Sequence, residues 1–158
     1  MAMHILAPYP LPGLLREWGS FLEQAEEASE FHIGSEVLKA LAREDSARVL
    51  YGDAWKGYER NHDGTTLCYA LCAVLDELAQ ASNCWSHIAT SLDEQLKQDP
   101  DEYWQHLHEV SIHQFQRVSF LQFSVQGDVQ DAAKVHKVLL SIVVLEEEER
   151  EEEGEVHA

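Results

Sequence analysis

Three cysteines and a histidine stand close together in LCYALCAVLDELAQASNCWSH, residues 67–87: Cys68, Cys72, Cys84 and His87. Thiolates and imidazoles are zinc ligands, and a thiolate beside an imidazole is a nucleophile beside its base. The pattern is Cys-x3-Cys, then Cys-x2-His after eleven further residues, which matches a zinc knuckle only loosely. A second set, Glu102, His106, Glu109 and His113, is spaced 4, 3 and 4. At about 100° per residue these four share one narrow stripe of a helix. Interleaved carboxylates and imidazoles suit a divalent metal or acid–base work. Glu23 and Glu26 form a Glu-x-x-Glu pair, half of the magnesium motif of helical nucleotide pyrophosphatases, but no Glu-x-x-Asp partner follows on a later helix.

Each set depends on the element that carries it. Apolar residues recur at 67, 71, 74, 78, 81, 85, 88 and 92, an unbroken 4-3-4-3 seam. That period predicts one helix over 65–98, with Asp63 or Thr65 as its cap. Cys72 and Cys84 then lie about 18 Å apart along the axis. Zinc holds thiolates at about 2.3 Å, so the four residues cannot share one ion on a straight helix, and the thiols read as small packing groups beside the seam. The Glu102–His113 stripe lacks the Glu-x-x-His motifs on two helices that a di-iron bundle uses. Its order, His106-x-x-Glu109, is reversed. The competing expectation is a solvated face supported by i,i+4 pairs. The sequence contains no G-x-G-x-x-G, G-x-x-x-x-G-K-[ST], G-x-S-x-G or H-E-x-x-H motif. The expectation is therefore not an enzyme and no bound cofactor, with a divalent metal as the alternative.

The remaining segments also read as helices. Residues 1–13, with Pro8, Pro10 and Pro12, predict an extended arm. Leu14, Trp18, Phe21, Ala25 and Ala28 predict an amphipathic helix with an acidic outer face of Glu23, Glu26, Glu27 and Glu30. Gly34 and Ser35 predict a boundary, and Gly52 and Gly57 predict short broken turns over 45–60. Asp99-Pro100 predicts the start of a central, well-buried helix over 100–125, which Gly127 stops before a last helix capped by Asp128. The apolar run 138–145 leaves helix and strand both open. The expected fold is all-α: a single helical bundle of four to six helices with a long central helical hairpin. It spans 1–145, and 146–158 is a disordered acidic tail. A ~50 Å helix is long for such a domain, so part of its seam is expected to project and be covered by a second copy.

Charge narrows the partner. The chain carries a formal net charge of −18. The tail 146–158 has eight acids and one arginine, a net −7, which leaves −11 to the rest. Between 61 and 133 there are eleven acids but only Lys97 and Arg117 as fixed cations. Direct phosphate binding needs clustered cations, so nucleic acid and anionic membrane are excluded as partners. No run reaches the ~18 apolar residues of a membrane span. No signal peptide is read at the N-terminus, and three unpaired cysteines fit a reducing, cytoplasmic setting. The functional expectation is a small acidic protein-interaction module that blocks or escorts a basic partner, of the inhibitor, immunity, anti-defence or DNA-mimic type. Its candidate contacts are Trp18, Glu23, Glu26, Glu27, Glu30, Trp55, Tyr58, Asp93 and Glu94. Trp18, Tyr51, Trp55 and Tyr58 serve an interface only if exposed, and otherwise belong to the core. The alternatives are a metal-binding bundle using Glu102, His106, Glu109 and His113, and a structural subunit of a larger helical assembly.

Overall fold

The structure, a computed structural model, describes residues 12–25 and 33–137. They form four helices: α1 (Pro12–Ala25), α2 (Ile33–Asn61), α3 (Gly64–Gln98) and α4 (Glu102–His136). The architecture is an all-α bundle. Helices α3 and α4 are 35 residues each, about 52 Å long. They form the expected hairpin, α2 packs along α3 and bonds through side chains to α4, and α1 packs against α2.

The seam places α3 at the centre. Leu67, Leu71, Val74, Leu78, Ala81, Trp85, Ile88 and Leu92 are all buried. The seam is covered to its last residue within one chain, so a projecting seam gives no reason for a second copy. Burying residues of this size contributes roughly 1.5–3 kcal/mol each.

Caps fix the ends. Asp63 accepts from the backbone N–H groups of Thr65 and Thr66 at 3.1 and 3.2 Å, which start α3 after a two-residue turn. His62 takes a left-handed φ of 51° in that turn. Gly64 has no side chain because the His136 ring occupies the place a Cβ would fill. Asp101, rather than Asp99, caps α4, accepting from the Tyr103 N–H at 2.9 Å. Lys137 ends α4 in a left-handed cap whose N–H bonds to the Ala133 carbonyl.

Three expectations are corrected. Helix α2 runs unbroken through Gly52 and Gly57, and α4 through Gly127. A glycine inside a helix costs about 1 kcal/mol, which a long packed face outweighs. Helix α1 begins at Pro12, within the segment expected to be extended. Phe21, expected on the buried stripe of α1, is exposed. Leu15, which widens the apolar stripe in the sequence, is buried, and Gly19 faces inward in place of Phe21, because α2 approaches Gly19 to within contact of Val37 and Leu38. The run 138–145 and the tail 146–158 lie outside the described residues.

Candidate interaction surface

Where the candidate residues sit decides what they can do. Glu23 is exposed on α1, and Trp18 is half-buried against the core. Glu26, Glu27 and Glu30 lie outside the described residues. Trp55 and Tyr58 are half-buried and packed on the core, and Tyr51 is fully buried. Asp93 and Glu94 are exposed near the end of α3, where Lys97 pairs with Asp93 at 3.3 Å. The set does not converge. The Glu23 backbone touches α2 at Gly34, about 32 Å along α2 from Trp55. Trp55 and Tyr58 therefore serve one end of the core, and Trp18 and the described acids lie toward the other.

The thiols carry no ready nucleophile. Burial pushes the Cys68, Cys72 and Cys84 thiols above their usual value. Glu36 on α2 adds to this at Cys84 through its charge and a hydrogen bond, and stands 3.8 Å from His87 Nδ1. A carboxylate beside the thiol holds the proton on sulfur, which is the opposite of activation. The Glu102, His106, Glu109 and His113 side chains are exposed along α4. Among the described residues, no group of three or more His, Cys, Asp and Glu stands close enough to hold a metal ion.

Inside the bundle, a polar seam joins α2 to α4. Glu44, Tyr51 and Tyr58, one heptad apart, bond to Arg117, Asp128 and His136. Tyr51 donates to Asp128 at 3.0 Å, and the Tyr58 hydroxyl lies 2.8 Å from His136 Nε2. Glu44 also accepts from Trp85 Nε1 at 2.9 Å, and Arg117 reaches the buried Gln114 at 3.0 Å. Burial lowers the Arg117 pKa and raises that of Asp128. Both groups are partnered, so the seam sets the register of α4 on α2 and holds nothing free for a ligand.

The outer strip of α4 is different. It starts at the acidic turn of the hairpin, where Asp99, Asp101 and Glu102 are exposed, and continues through His106, Glu109 and His113. It then turns aromatic. Phe120 is 60% and Phe123 is 77% exposed. At about 100° per residue Phe120 and Phe123 stand about 60° apart, whereas Phe115 lies about 140° from Phe120, at the edge of the buried arc. All three fall in the segment expected to form a central, well-buried helix. The signal against that was present: Phe120 and Phe123 fall outside the arc of Leu107, Val118, Leu121 and Val125, which is buried.

No known protein family, no curated protein and no solved structure matches the chain. Nor is any described helix long and apolar enough to cross a membrane.

Proposed function

We propose that this protein is an interaction module whose working face is the outer strip of α4, and that it blocks or escorts a basic protein partner. The observation that supports this most is the pair Phe120 and Phe123, adjacent on the helix surface and largely in water. Single exposed hydrophobics are ordinary, whereas adjoining aromatics form a patch of the kind that anchors interfaces. The acids at the turn, with Glu102 and Glu109 along the same helix, would steer a cationic surface toward that patch. Asp93 and Glu94 stand at the same end of the hairpin and belong to this field. A cytoplasmic setting suits the unpaired thiols.

The test compares the native chain with the double variant Phe120→Ser/Phe123→Ser as bait in source-cell lysate at low and high salt. The expected result is one basic protein retained by the native chain, weakened at high salt and lost with the double variant. Equal capture by both baits would remove α4 from the reading. A native chain that sediments as a dimer and retains no basic protein, with a monomeric double variant, would make a second copy the partner instead.

A further inference from the structure

The outer side of α4 carries a second repeat that the bundle does not use. Positions 109, 113, 116, 120, 123, 127, 130 and 134 are spaced 4-3-4-3-4-3-4. This is heptad spacing, sustained over about 38 Å of helix. At about 100° per residue the strip lies opposite the arc of Leu107, Val118, Leu121 and Val125 that faces the core. Within the chain, α4 meets α3 and α2 on that inner arc.

The strip changes character along its length. Glu109 is exposed near one end and Lys134 at the other. Among the described residues neither has an ion-pair partner. The six strip positions between them hold no Asp, Glu, Lys or Arg. Phe120 and Phe123 form the middle, and at Gly127 the space that a side chain would take is open. The chain as a whole carries a net charge of −18. An uncharged strip on such a surface lets another copy approach without setting acid against acid.

The order of these residues is complementary to itself. Turned end for end about the point midway between Phe120 and Phe123, the strip meets itself position for position. Phe120 of one copy faces Phe123 of the other, Gln116 faces the opening at Gly127, and Glu109 faces Lys134. The arrangement is isologous, so each contact occurs twice. It also sets the two helix dipoles antiparallel. A parallel pairing would instead set Glu109 against Glu109 and Lys134 against Lys134.

We propose that α4 pairs with a second copy of itself, antiparallel through this strip, so that each chain covers the aromatic patch of the other until a basic partner takes it. This rests on the reading of the outer strip as the working face. The seam of α3, already covered within the chain, plays no part. Repulsion between two strongly acidic chains keeps the pairing weak and dependent on concentration.

The experiment is sedimentation of the purified full-length chain at about 2 µM and about 200 µM, a range over which a weak dimer forms by mass action. Glu109→Lys and Lys134→Glu are measured alone and mixed in equal amounts. The native chain is expected to be monomeric at the lower concentration and dimeric at the higher. Each single variant sets like charges against each other at both ends and weakens pairing by about tenfold or more. Glu109→Lys does so although it lowers the net negative charge, a change that general repulsion would reward. In the mixture opposite charges meet at both ends, and a heterodimer forms. Both sites are exposed, and urea midpoints equal to the native one at the lower concentration show that the variants fold. A native chain that stays monomeric at the higher concentration, a dimer indifferent to either variant, or a mixture that stays monomeric overturns the proposal. The lysate capture is read separately. A basic protein held by the native bait and lost with Phe120→Ser/Phe123→Ser keeps the strip as the working face even where self-pairing fails.

Discussion

Phe120 and Leu121 are neighbours in the chain and opposites in environment. Phe120 is 60% exposed, and Leu121 is 1% exposed. The same division runs the length of α4. On its inner side each charge has a partner: Arg117 has Glu44 and Gln114, and Asp128 has Tyr51. On its outer side, Glu102, Glu109 and His113 stand in solvent. Polar residues alone do not mark a working surface here, because the best-connected ones hold the bundle in register. The outward side is distinguished by apolar groups left in water, and it carries the proposed function.

The division predicts different outcomes for substitutions one residue apart. Leu121→Ala removes a filled core position and should destabilise the protein by about 2–5 kcal/mol, measured by urea denaturation. A loss below 1 kcal/mol would mean that α4 is loosely seated. Arg117→Ala leaves Glu44 and Gln114 short of a partner inside the bundle, at a cost of about 2–4 kcal/mol. Glu44→Ala should cost a similar amount, because Arg117 and Trp85 Nε1 both lose their acceptor. The double variant should cost far less than the two together, since the residues share one interaction. Additive losses would show that the pair does not couple α2 to α4. Phe120→Ser and Phe123→Ser should change stability by no more than about 0.5 kcal/mol each, because neither is packed. A loss of several kcal/mol would mean that the aromatics are covered in solution by part of this chain or by another.

Much of this arrangement was legible in the sequence. The 4-3-4-3 spacing from Leu67 to Leu92 determined α3 and its buried side, because a repeat that long has only one helical solution. Asp63 was one of two caps the sequence offered for α3, and Asp99-Pro100 announced the turn before α4. What failed was punctuation inside helices. Gly52, Gly57 and Gly127 look like stops, but their local cost is small beside the packing of 29 and 35 residues. The sidedness of α4 was misread because its apolar residues are spread around the helix, and counting them conceals which arc is shared with α3. The α2–α4 seam was not legible at all. Glu44, Tyr51 and Tyr58 are one heptad apart, yet their partners Arg117, Asp128 and His136 follow no shared period, since side chains of different length bridge the gap.

The smallest expected effect tests the inner side by pH. Burial raises the Asp128 pKa above its ordinary value, and the Tyr51 hydrogen bond only partly offsets this. In the unfolded chain the group titrates near its usual 3.8. Between that value and the raised one, the folded protein holds more protons than the unfolded one, so stability from this group falls as pH rises. Asp63 works in the opposite sense. Its hydrogen bonds to Thr66 lower its pKa, so its contribution is present at neutral pH and is lost as acid protonates it in the folded state. Asn at position 128 keeps an oxygen for the Tyr51 hydroxyl and cannot ionise. The stability of Asp128→Asn minus that of the native chain should therefore grow from pH 3 to pH 7. The other carboxylates, Asp63 included, cancel in that difference. Urea midpoints of both proteins at the two pH values measure it. An equal difference at both would mean that Asp128 ionises freely, with water rather than helices around it. The inner side of α4 would then be as open at Asp128 as the outer side is at Phe123.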